Sequence, residues 1–150
     1  MTLEDLIDQK GQRIAISAWR RISDADVDQF SELTQDFQFA HHDRERDPAD
    51  TPYGMRIIHG FFLLSLIAGH FKDHVPQILS HRGVINYGLE KVRFIHPVRA
   101  GSDLRSEIVL QDVQIKPENR ALLHLDFTLE IKDVSKPALR AVWLAMLVPS

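Results

Sequence analysis

The chain contains no cysteine, which removes three possibilities together: a disulfide framework, a zinc ribbon and a thiolate nucleophile. It also lacks an excess of either charge. The net charge is -3 and the sequence pI is about 6.2, and no aromatic ladder is interleaved with basic residues. Without those two features of nucleic-acid recognition, no nucleic-acid partner is expected. Long hydrophobic runs are missing as well. The longest, Phe61 to Gly69, is broken by Ser65 and falls far short of the roughly 20 residues that span a bilayer. The opening "MTLEDLIDQKGQR" carries acids where a signal peptide needs a basic segment and then an apolar one. The expectation is a soluble, cytoplasmic protein with no membrane partner.

What is present is ordinary for a globular domain: 150 residues, 44% hydrophobic and 26% charged. That length fits one domain, residues 1–150, and buries a real core. "TLEDLIDQ" has Leu3, Leu6 and Ile7 at helical spacing before Gly11, which predicts a short helix. "QRIAISAWR" alternates Ile14, Ile16 and Ala18 on one face, which predicts a strand. "SDADVDQFSELT" has Ser23, Asp26 three residues on, and Val27, Phe30 and Leu33 in register, the pattern of a capped amphipathic helix.

Residues 34–58 show no sustained period and are punctuated by Pro48, Pro52 and Gly54. A polar loop of about 20 residues in a compact domain is usually functional or disordered. "HGFFLLSLIAGHF" is apolar almost all round and predicts a helix buried on every side at the centre of the fold. Four alternating segments follow: "VINYGLEKVRFI", "LRSEIVLQDVQI", "LLHLDFTLEI" and "LRAVWLAMLV". Their short connections predict an antiparallel meander, and the whole an α+β fold with a sheet curled around one helix.

Two places could carry chemistry. In "LTQDFQFAHHD", Asp36 and His41 are five residues apart, too far for one helical face, yet a bend can bring both heads to one water. Aromatic neighbours would desolvate such an acid and raise its pKa, which suits a carboxyl that takes and gives a proton near neutrality. The plainer reading makes Asp36 a turn cap and His41 a satisfied side chain. His42 and Asp43 compete for the role, and "HHD" has the look of part of a metal site. A metal needs three or four ligands, however, and no second cluster stands nearby in sequence, so none is expected.

The second place is "IIHGFF", where His59 and Gly60 lead into the apolar helix. The first turn of a helix has unpartnered N–H groups and a partial positive charge, and it can stabilise an oxyanion. Gly60 lets a ligand approach that backbone. Ser65 lies inside the helix without a GxSxG setting, and a bond back to its own helix is the simpler fate.

Taken together, "LTQDFQFAHHD", "YGMRIIHGFFLLSL" and "INYGLEKVRFIHPVRAGSDLRSEI" resemble the MaoC-like dehydratase family, most of all its NodN-like branch, over roughly Ala25 to Ile108. The matching positions are Asp36, Gln38, His41 and Asp43, then His59-Gly60, then Pro97, Val98 and Gly101. Gln38-Phe39 stands where many members have Asn-Pro, and Ala68 where some hydratase members have a pocket serine.

The resemblance implies a hot-dog fold, a long central helix wrapped by a curved antiparallel sheet, and a homodimer. It implies (R)-specific hydration of a trans-2-enoyl-CoA thioester, or the reverse dehydration, with no metal or redox cofactor. Asp36 and His41 would be the catalytic dyad and the Gly60 N–H the oxyanion donor, with Gln38, Phe39, His59 and Ser65 beside the substrate. The alternatives on the same fold are acyl-CoA binding without turnover and thioester hydrolysis.

Overall fold

The computed structural model describes residues 3–42, 50, 52–72 and 81–149. Asp43 and Pro48 lie outside them. Helix α1, Leu3–Ile7, buries Leu6, and the turn after it closes at Gly11 with φ +79. Helix α2, Asp24–Thr34, begins with the expected capping box. The Ser23 hydroxyl accepts from the Asp26 N–H, and the Asp26 carboxylate accepts from the Ser23 N–H at 2.7 Å. The Ser23 hydroxyl, which also donates to the Asp26 carboxylate, and then the Ser23 N–H hold that carboxyl below the usual carboxylate range, and the box satisfies two donors that the helix leaves over. The other end closes at Gln35 in the left-handed region, φ 59.

The predicted first strand is broken into β1, Arg13–Ile16, and β2, Arg20–Arg21. Both pair antiparallel with β4, Asp103–Lys116. A bulge between Arg13 and Ala15 changes which side chains face inward. Ala15 is buried and Ile16 is exposed, the reverse of the expected face.

The remaining strands are β3, His81–Phe94, β5, Arg120–Ile131, and β6, Leu139–Pro149. In β5 the alternation is as expected, with Leu123, Leu125, Phe127 and Leu129 fully buried between half-buried polar residues. Strands β4, β5 and β6 form a meander, but β3 does not join it at β4. The order is β1-β4-β5-β6-β3, so the segment between β3 and β4 crosses the end of the sheet. Crossing three strand spacings takes about 15 Å, well within its reach. The crossing chain is tied down on the way, by Ile95 N–H to Ala138 O at 2.8 Å and Gly101 N–H to Ile22 O at 2.7 Å.

Helix α4, Gly60–Lys72, packs on this sheet through Leu63, Leu66, Ile67 and Phe71, and Phe71 meets Trp143 edge-on with centroids 5.1 Å apart. It is not buried on every side: Phe61 is 71% exposed, and Ser65, Ala68 and Gly69 are exposed too. The sheet covers one stripe of the helix, and beside it Leu64, Ser65 and Ala68 line a groove against the β3 edge of the sheet. No helix is long and apolar enough to cross a membrane among the described residues.

Candidate active site

After the left-handed turn at Gln35, the chain leaves α2 and winds into a single helical turn, α3, Phe39–His42. The sequence reading placed only loop here. Asp36 is half-buried just beyond α2, and His41 is half-buried on α3. The His41 imidazole is aimed from behind, because its Nδ1 lies 2.8 Å from the Ile57 carbonyl. A carbonyl only accepts, so Nδ1 carries the proton and Nε2 of the neutral ring is left as the basic nitrogen.

His59 lies beneath both groups. It is 1% exposed, its ring stacks on that of His41 at 4.0 Å with planes 27° apart, and its other neighbour is Phe30 at 5.0 Å. Its Nε2 donates to the Asp36 carbonyl at 3.2 Å and lies 3.1 Å from the Ser31 hydroxyl. Burial pushes the His59 pKa down, the neighbouring His41 and Arg56 add to this, and the bond to the Asp36 carbonyl opposes it. Neutral His59 protonated at Nε2 leaves Nδ1 as a buried acceptor with no hydrogen-bond partner among the described residues. An unsatisfied buried acceptor costs about 1–3 kcal/mol, and such costs concentrate where function needs them.

Asp36, His41 and His59 each bring one donor atom within 4.8 Å of the others. Ligands of a tetrahedral metal at about 2.1 Å stand about 3.4 Å apart. Groups that share a water at about 2.8 Å stand about 4.6 Å apart. A separation within 4.8 Å admits either, while the stacked rings of His41 and His59, 27° apart, lie side by side instead of converging on one point.

His41 and Gly60 line the same cavity of about 210 Å³, with Tyr53, Phe94, His96 and Val98 on its walls. Gly60 opens α4. A Cβ added to it would meet the Phe94 ring at 3.0 to 3.2 Å, so the absence of a side chain allows Phe94 to pack against the helix start. Phe94 in turn meets Phe61 edge-on at 6.2 Å. Beyond Phe61 a second, apolar groove of about 340 Å³ runs between α4 and β3 past Leu64, Ser65, Ala68, Tyr87 and Trp143.

The fold therefore brings together Asp36, His41, His59 and Gly60. Ser65 sits apart in the groove, where its hydroxyl donates to the Phe62 carbonyl at 2.7 Å. Gln38 and Phe37 are exposed, and the Phe39 and His42 side chains lie outside the described part of the structure. Sequence reasoning missed Arg56, Ser31 and Phe94. For Ser31 a signal existed, since it falls one turn after Val27 on the buried face of α2.

The chain matches the family described as MaoC like domain over residues 7–123. It is 36% identical over 146 residues to nodulation protein N of Rhizobium meliloti (strain 1021), covering 97% of this chain and 91% of that protein. It is 33% identical over 137 residues to 3-hydroxyacyl-thioester dehydratase Z of Mycobacterium tuberculosis, covering 91% and 89%. Among solved structures it superposes on a MaoC-like dehydratase from Rhodospirillum rubrum with TM-score 0.80 at 20% identity, covering 100% and 98%. On the (R)-hydratase from A. caviae the TM-score is 0.73 at 24% identity, covering 93% and 96%. The fold is the hot-dog fold, α+β with one helix packed on an antiparallel sheet.

Proposed function

Because the chain belongs to the MaoC-like dehydratase family, with nodulation protein N among its relatives, we propose that it is an (R)-specific hydratase/dehydratase of trans-2-enoyl thioesters carried on coenzyme A. The observation that supports this most is a cavity lined by both His41, whose Nδ1 is held by the Ile57 carbonyl, and Gly60 at a helix N-terminus. Asp36 and His41 hold a water between them and take its proton as its oxygen adds to C3. The proton returns from the dyad to C2 on the same face, so water adds in full and no electrons are exchanged.

Charge builds on the thioester oxygen as C3 is attacked, and the Gly60 N–H is the donor for it. Loss of one such donor typically costs about 3 kcal/mol of transition-state stabilisation. His59 supports the dyad from below, Ser65 lines the groove that takes the acyl tail, and Gln38 and Phe39 are assigned to substrate binding in this reading. No metal or redox cofactor enters this chemistry.

The protein acts in this reading as a cytoplasmic homodimer. Strand β3 is an edge of the sheet, and it exposes Ile85, Tyr87 and Leu89 next to the groove, a combination that a second copy would cover. The test is a series of trans-2-enoyl-CoA substrates of rising chain length, with chiral analysis of the product. Formation of (3R)-hydroxyacyl-CoA supports the reading. Tight binding without hydration, or release of thiol from saturated acyl-CoA, would replace it with a binding protein or a thioesterase.

A further inference from the structure

Helix α3 is one turn long, and a single turn is not stable by itself. The side chain of His41 is aimed by Ile57 and His59, but its backbone needs an anchor if the ring is to stay within reach of one water. That anchor is Arg56. Its Nε donates to the His41 carbonyl, one of the carbonyls that the short helix leaves without a partner. Its Nη1 donates to Asp24 at 2.8 Å and its Nη2 to Asp28. Asp24 and Asp28 are one turn apart on α2, so both carboxylates present on the same face. The Arg56 side chain is only 19% exposed.

The backbone at Arg56 is held on both sides. Its carbonyl accepts from Ala100 N–H at 3.0 Å, and the next residue's N–H donates to the Ala40 carbonyl at 3.0 Å. We infer that Arg56 is a positioning residue for His41: α2, through Asp24 and Asp28, fixes the guanidinium plane, and the guanidinium fixes the turn that carries the imidazole. Four of the five residues from Arg56 to Gly60 thus serve one site, with Arg56 on the His41 carbonyl, Ile57 on its Nδ1, His59 under its ring and Gly60 at the oxyanion position. A planar fork with five donors serves three acceptors at once, which the single ammonium of lysine does not reproduce.

The inference rests on the proposed hydratase reading for its kinetic arm alone. Arg56→Lys should lower kcat on crotonyl-CoA by about 10- to 100-fold, with KM changed less than about twofold. In ¹⁵N spectra of histidine-labelled protein, His41 should pass from one fixed tautomer, protonated at Nδ1, to a mixture. Asp28→Asn, which keeps Arg56 but loosens it, should move both readouts in the same direction by a smaller factor, and it decides the matter if Arg56→Lys does not fold. Wild-type kcat, or an unchanged His41 tautomer in a folded variant, overturns the inference. If the wild-type protein hydrates no enoyl-CoA, the functional reading fails and the tautomer measurement still decides the role of Arg56.

Discussion

The ring of His41 lies on the ring of His59 at 4.0 Å, one half-buried and facing a cavity, the other wholly buried. Two stacked imidazoles at that distance repel if both are charged, and burial already disfavours charge on His59. The buried ring therefore serves as a neutral floor for the ring of His41. It ties the carbonyl of Asp36 to the same support.

A pH dependence of stability follows from the lowered pKa of His59. The unfolded chain protonates this residue near about pH 6.5, and the folded chain does so only at lower pH. Stability is thus full above about pH 6.5 and falls as the pH drops through the window below it. Asp26, Asp103 and Asp112, whose carboxyls are held low by hydrogen bonds, add losses only below about pH 4. Thermal unfolding of His59→Gln, which cannot charge but keeps a donor for the Asp36 carbonyl, should show a shallower decline between pH 7 and 5 than the wild type. Parallel curves would mean that His59 is not the group responsible.

Gly60→Ala places a methyl group 3.0 to 3.2 Å from the Phe94 ring. Alanine gains up to about 1 kcal/mol in helix propensity, while overpacking costs about 1–3 kcal/mol, so a net loss of about 1 kcal/mol is expected. Phe94→Leu should relieve it. A double-mutant cycle by denaturant unfolding should return a coupling of at least about 0.5 kcal/mol. Additive effects would show that Phe94 moves aside freely.

The groove between α4 and β3 gives a prediction about chain length. Ala68 is exposed and lines it, so Ala68→Phe fills the groove without disturbing the core. Turnover of crotonyl-CoA should stay within about twofold, while kcat/KM on a C8 enoyl-CoA should fall about tenfold or more, in line with about 0.8 kcal/mol per buried methylene. Equal losses on both substrates would place the tail elsewhere.

Much of this arrangement is legible in the sequence where local chemistry decides. The Ser23–Asp26 box and the alternation through β5 are set by short-range geometry and one buried face, so spacing alone reveals them. The HG step at the start of α4 reads correctly for the same reason. Other features depend on what lies across the fold. The residues of β3 alternate like those of β4, but nothing local says that β3 lies beside β6 at the far edge. The apolar run of α4 suggests burial all round, yet one chain covers a single stripe of it. Arg56 looks like any arginine in "MRIIHG" until the fold brings it to Asp24, Asp28 and the His41 carbonyl, at sequence separations that no periodicity marks.

The edge strand supplies a prediction about assembly. Tyr87 is 63% exposed and Ile85 55% on β3, and the wild-type protein should scatter light as a dimer at micromolar concentration. Ile85→Lys should shift it toward monomer, since a charged side chain on an edge strand opposes pairing. A wild-type monomer would contradict the proposed dimer.

The most direct test compares the wild type with Asp36→Asn and His41→Ala for hydration of crotonyl-CoA, followed as loss of enoyl absorbance, after circular dichroism has shown that all three are folded. A shared Asp36–His41 water predicts that each substitution lowers kcat by about 10²- to 10⁴-fold, and that the double variant is little worse than either single one because the two act as a unit. Wild-type turnover in either single variant would contradict the account.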